Sequence, residues 1–241
     1  MPATPRRVPA GTTLAALLLI TTSCTGLDQA SAAGVTRQDL AAEMAGEVAA
    51  AAGLTYTATY RLAGGSTAQI VRTSRPDRTA YLHPGGRVIR TPSTVTQCTY
   101  TVCTTTDARA PANPRATATG ERTTANSRAT TGSRAVADLP AATGMVAPEA
   151  VLAMLETAAI DPGLEFEQHD TTLAGRHATC VTVSGSGDYT VCVTIKGVLA
   201  RFTGRVDGTA VEMELIDYAE EASESDFAIP PGARLVDRRH H

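Results

Sequence analysis

The sequence predicts an α+β domain in which a curved antiparallel β-sheet carries helices on one face. Three features predict it. Two stretches rich in Ala, Leu and Glu have helical composition and clear stop signals. The stretch that follows each of them alternates apolar and polar residues with a period of two, and short Gly, Pro and Asp turns join the alternating runs.

The first helical stretch begins at Thr36, runs through Ala52 and stops at Gly53, with Leu40, Met44 and Val48 recurring along one side. The period then changes. Tyr56, Ala58, Tyr60 and Leu62 alternate with Thr55, Thr57, Thr59 and Arg61; Gly64-Gly65 turns the chain and Ala68–Arg72 returns as the partner strand. Arg75-Pro76-Asp77 forms the next turn, Thr79–His83 a strand, Pro84-Gly85-Gly86 another turn, and Arg87–Arg90 runs on toward Cys98. Strands joined by such short turns form an antiparallel meander, because parallel pairing requires long crossovers. Residues 107–135 are mostly Arg, Thr, Ala, Ser, Gly and Pro with no large apolar side chain and are expected to be a disordered insert. A second helix is expected over Pro148–Ala159, with Val151, Leu152 and Leu155 on one face and Pro148 in its first turn; Asp161-Pro162-Gly163 ends it. In the last third, Val181 and Val183 share a face with Tyr189, Val191, Val193 and Ile195. Gly197 permits a turn into Val198–Phe202, and Val211, Met213 and Leu215 alternate with Glu212, Glu214 and Ile216 in a long final strand.

The 241 residues carry a net charge of -3, which gives no basic field for nucleic-acid binding. Aromatic residues make up only 4% of the chain and Trp is absent, so the core rests on Val, Leu, Ile and Ala. At the N-terminus Arg6 and Arg7 precede Leu14–Ile20, an apolar run too short to span a bilayer as a helix. That order reads as a signal peptide over residues 1–23. The run closes on Thr21-Thr22-Ser23-Cys24, which resembles a lipobox, the bacterial motif in which the cysteine is diacylated and becomes a lipid anchor. Thr21 departs from the apolar residue the motif prefers. On this reading Cys24 fixes the chain to the outer face of the cell membrane and residues 24–35 are a tether; the alternative is cleavage after Ala32 and release as a soluble protein. Of the five cysteines, Cys98, Cys103, Cys180 and Cys192 then remain as an even set in an exported chain. Cys180 and Cys192 are equidistant from residue 186 in the turn Ser184–Asp188, so a hairpin places them opposite each other. Cys98 and Cys103 pinch a tighter loop. Both loops are short, and each bridge should contribute toward the low side of the usual ~2–4 kcal/mol.

The order helix, meander, helix, meander, with Gly197-Val198-Leu199 at a turn and Ser225–Ala233 at the close, resembles the LolA/LppX-type lipoprotein-carrier superfamily over residues 36–233. The resemblance implies a single domain built as an incomplete antiparallel barrel, with helices on its concave face and a cavity for acyl chains or a lipidated partner. Residues 234–241 are left as a C-terminal tail. Under this resemblance the stripe Tyr56, Ala58, Tyr60, Leu62, Val181, Val183, Val191 and Val193 is the candidate cavity lining, set against the plainer reading that it is core. The function expected is non-catalytic binding of a lipid or other hydrophobic ligand for transport or retention at the envelope. The alternative is an envelope sensor or interaction module acting on a membrane-protein partner.

Catalysis finds no motif. His83 stands beside a turn, His169 and His177 flank a hairpin start, and none has metal-ligand spacing; the serines lack a Gly-x-Ser-x-Gly elbow. Ser184–Asp188 joins two strands rather than opening a helix, so it is read as a turn and not a phosphate cradle. Glu212 and Glu214, and the group Glu220, Glu221, Glu224 and Asp226, read as solvated acidic faces. Arg238–His241 reads as a frayed end. No enzyme activity, metal or cofactor is expected.

Overall fold

The alternating runs assemble into one twelve-stranded sheet in a computed structural model that describes residues 37–108, 139, 143–185 and 187–239. All of them belong to one compact unit, Val35–His241. The signal peptide, Cys24, the tether, His240, His241 and all of the expected insert beyond Ala108 lie outside the described residues.

Helix α1 spans Arg37–Ala50 and ends in a 3-10 turn, Ala51–Gly53. Strands β1 (Tyr56–Leu62), β2 (Thr67–Ser74), β3 (Asp77–His83), β4 (Gly86–Arg90), β5 (Thr94–Cys98) and β6 (Val102–Asp107) follow as a meander. Helix α2 covers Pro148–Ala159, the span the sequence predicts, with Pro148 at its first position, where a missing N–H costs nothing. Strands β7 (Glu165–Leu173), β8 (Arg176–Ser184), β9 (Tyr189–Thr194), β10 (Leu199–Val206) and β11 (Thr209–Ala219) form the second meander, and β12 (Arg234–Asp237) completes the sheet. The order is β12-β6-β5-β4-β3-β2-β1-β11-β10-β9-β8-β7, so the two meanders meet along the single seam between β1 and β11. The sheet is curved and not closed, and every pairing is antiparallel except β12 with β6.

Both helices lie on the inner face and pack against each other. Ala41, Met44, Ala45 and Val48 of α1 and Val151, Leu155 and Ala158 of α2 are buried with Tyr60, Tyr81, Phe202, Met213 and Leu215 of the sheet. Met145, Val146 and Ala147, just before α2, are also fully enclosed and help to fill the concavity. A bulge in β11 places Ile216 between the pairs Thr59↔Asp217 and Tyr60↔Leu215. The extra residue reverses the alternation, so Tyr218 faces inward and stacks on Tyr56, with centroids 6.0 Å apart.

Four details differ from expectation. Arg87–Cys98 is two strands, because Thr91-Pro92-Ser93 breaks it and the Thr91 N–H closes a turn on the Thr94 carbonyl at 2.9 Å. Ile195 does not share the buried face; β9 ends at Thr194 and Ile195 stands 76% exposed in the following turn. Residues 234–237, assigned to a tail, form β12, and the Arg238 N–H still donates to the Thr105 carbonyl at 2.8 Å. The acidic group before it is not simply solvated. Ser223 and Asp226 cap a 3-10 turn over Glu224–Phe227. Arg78 holds Glu224 at 2.9 and 2.5 Å and lies 4.3 Å over the Phe227 ring, while Arg87 donates to the Ala228 carbonyl at 2.9 Å. This segment forms a strap over the outer face, where Ala222 and Phe227 cover Val71, Ala80 and Ile89.

Both disulfides form as read: Cys98–Cys103 closes the β5–β6 hairpin and Cys180–Cys192 joins directly opposed residues of β8 and β9. Gly197 has φ +79°, and a Cβ there would stand 1.9 Å from the Glu47 carbonyl oxygen, so the β9–β10 turn and α1 approach as only glycine permits. Gly197→Ala is therefore expected to destabilise the fold by at least about 2 kcal/mol, read as a shift in the denaturant midpoint. An unchanged midpoint would mean that this contact does not set the helix position.

Candidate functional site

The inner face opens to solvent where the C-terminal end of α1 meets the N-terminal end of α2. A groove of about 130 Å³ lies there, walled by Val48, Ala51, Pro148 and Leu152 and floored by Tyr56 and Leu199. It runs into a polar compartment of about 330 Å³, with which it shares Ala52, Arg72 and Glu149 and whose far side carries Asp77, Thr79 and Arg90. Apolar walls thus lead to a cluster of two cations and two carboxylates.

Glu149 organises the polar end. It stands in the first turn of α2, where the helix dipole favours a negative charge. One oxygen accepts from the Tyr81 hydroxyl at 2.8 Å; the other accepts from Arg90 at 3.0 Å and lies 3.6 Å from Arg72. Arg72 is spread over four partners, donating also to the Ala52 carbonyl at 2.8 Å, Thr79 at 3.0 Å and Asp77 at 3.1 Å. Its side chain is only 13% exposed, which suits an ion whose three nitrogens each have a partner. The cluster fixes both helix ends to β2, β3 and β4.

The stripe expected to line a cavity divides. Tyr56 reaches the groove, and Val181 lines a separate hollow of about 80 Å³ beside α1. Ala58, Tyr60, Leu62, Val183, Val191 and Val193 are buried at 4% exposure or less in the main core. The groove instead draws on Val48, Pro148 and Leu152, which the sequence marks only as helix positions, together with Arg72 and Glu149, which it does not single out.

The histidines stay apart. His83 Nδ1 accepts from the Gly85 N–H at 3.1 Å within its turn, and burial lowers its pKa. His177 lies 3.7 Å from Asp170, and His169 is exposed on β7. Among the described residues no three His, Cys, Asp or Glu side chains gather as metal ligands, and no helix is long and apolar enough to cross a membrane. Glu212 is exposed, whereas Glu214 is held between Arg61, at 2.5 Å, and Arg201. Glu220 pairs with Lys196 at 2.6 Å, and that hydrogen bond lowers its pKa.

Tyrosines tie the layers together: Tyr60 donates to the Leu199 carbonyl at 2.8 Å and Tyr189 to the Met154 carbonyl at 3.4 Å. Burial raises the pKa of Tyr56, Tyr60 and Tyr81, the last raised further by Glu149, and pushes Tyr189 up to about 12. An unfolded tyrosine ionises near its ordinary 10.0, so above that pH the unfolded chain loses protons that the fold retains. This contribution to stability is therefore full below about pH 10, and stability is expected to fall as pH rises from there toward 12 and beyond. Phenolate absorbance from these tyrosines should appear only as the fold is lost; its appearance beforehand would contradict their burial.

No family model matches the sequence, and no curated protein matches it. Solved structures similar to it include an uncharacterized conserved protein from Thermus thermophilus, with a TM-score of 0.46 at 13% identity over 83% of this chain and 99% of that one. MucB in complex with MucA(peri) is similar with a TM-score of 0.42 at 12% identity, over 81% of this chain and 62% of that one. PNGF-II gives a TM-score of 0.36 at 9% identity, over 77% of this chain and 31% of that one.

Proposed function

We propose that this chain is a non-catalytic binding protein for an amphiphilic lipid or similar hydrophobic ligand, acting in transport or retention at the cell envelope. The observation that carries this reading is the α1–α2 groove, whose apolar walls end at the Arg72–Glu149 cluster. Pockets that enclose a whole small molecule measure roughly 300–1,000 Å³, so a groove of about 130 Å³ suits one apolar chain lying partly exposed. The ligand's polar end then meets Arg72, Arg90, Asp77 and Glu149, whose formal charges cancel, which favours an uncharged or zwitterionic head. The resemblance to lipoprotein carriers points the same way. In this reading Cys24 bears the anchor and the domain works at the outer face of the membrane.

Two experiments test it. Native mass spectrometry of the protein from an exporting host, followed by solvent extraction, is expected to give a defined amphiphile in near one-to-one ratio. Leu152→Trp, which fills the groove, should weaken binding of a fluorescent fatty acid by at least about tenfold while leaving the circular dichroism spectrum unchanged. Protein that is lipid-free and stays so against membrane extract would overturn the reading and direct attention to a membrane-protein partner. For the anchor, Cys24→Ala should abolish metabolic labelling with palmitate and release the chain from membranes; retained labelling would reject Cys24 as the acylated residue.

A further inference from the structure

Away from the groove, the sheet ends at β7, whose nine residues, Glu165–Leu173, contain no proline and among the described residues pair only with β8. Every residue from Glu167 to Asp170 is exposed. In an antiparallel strand alternate residues direct their N–H and C=O groups away from the existing partner, so this edge presents a row of donors and acceptors that take no backbone partner among the described residues. Beside it, on the inner face, lies the hollow of about 80 Å³. Leu40 and Met44 of α1 and Val181 of β8 form its apolar floor, and Glu43 and Glu47 of α1 stand at its rim.

We infer that the β7 edge and this hollow form a docking site for an extended segment of another protein that carries Lys or Arg at alternate positions. The strand would add to β7 through its backbone, and one basic side chain would lay its stem on Leu40, Met44 and Val181 while its charge reaches Glu43 and Glu47. Charge decides the occupant. Among the described residues neither Glu43 nor Glu47 forms an ion pair, and Asp170 of β7 adds a carboxylate on the same face. Partial burial, and next the neighbouring Glu43, raise the Glu47 pKa, as expected of a carboxylate lacking a cation. A second copy of this chain fits poorly, because β7 carries no Lys or Arg to meet Glu43 and Glu47 and would add its own acidic residues.

The test uses the whole chain and a fluorescent nine-residue peptide of alternating Val and Lys. This peptide is expected to bind, a Val–Glu counterpart is not, and N-methylating alternate amides along one edge of the Val–Lys peptide should weaken binding at least about tenfold. The double variant Glu43→Gln/Glu47→Gln should lose at least about fivefold with an unchanged circular dichroism spectrum, and Leu152→Trp should lose nothing, which separates this site from the lipid groove. Hydrogen exchange of β7 amides in the unaltered protein should slow when the peptide is present. Absence of binding, equal binding of the N-methylated peptide, or unprotected β7 amides would each overturn the proposal.

Discussion

The carboxylate of Glu149 is the constraint on which the helical layer depends. It joins the first turn of α2 to Tyr81 on β3, Arg90 on β4 and Arg72 on β2, and Arg72 in turn holds the end of α1 through the Ala52 carbonyl. A charge in that position is stable only because its partners are fixed beforehand by the sheet. Two helix ends are thereby held apart above Tyr56 instead of closing on it. The groove between them is a by-product of how the helices are pinned, and its polar end consists of the groups that do the pinning.

The same arrangement explains why the sheet is not hollow. Closed-up β surfaces with small side chains leave volume, but here Met145, Val146 and Ala147 enter beneath the helices, and Tyr60, Tyr81 and Phe202 are large enough to meet them. Apolar space survives at the helix margin. A ligand seated there, as proposed above, would keep one side in water.

Local patterning made much of the fold legible. Alternation in Tyr56–Leu62 and Val211–Leu215, the turn residues at Gly64-Gly65 and Pro84–Gly86, and the equal spacing of Cys180 and Cys192 about their turn each depend on neighbours in sequence, and each appears in the structure. What escaped depends on partners far away. Arg234–Asp237 has no strong strand pattern and becomes β12 only because β6 offers an edge. Arg72 and Glu149 look like surface charges until β2 and α2 are brought together. The inward Tyr218 requires a bulge at Ile216 that composition does not announce. The stripe assigned to a cavity was apolar for the right reason, burial, but burial alone does not distinguish a lining from a packed interior.

The strap from β11 to β12 also sets a length. Between Ala219 and Arg234 the chain must pass from β11 across the outer face to the far edge of the sheet, seven strand spacings or about 34 Å at ~4.8 Å each. Fully extended it reaches at most about 50 Å, and the 3-10 turn at Glu224–Phe227 takes up part of that reach. Arg78 and Arg87 grip it on the way, so little slack remains. Coiling the sheet more tightly lengthens the path on the convex side, and a shorter strap would no longer reach β6 unless the sheet flattened or loosened its edge. The belt on one face thus gauges the curvature on which the helices of the other face are seated.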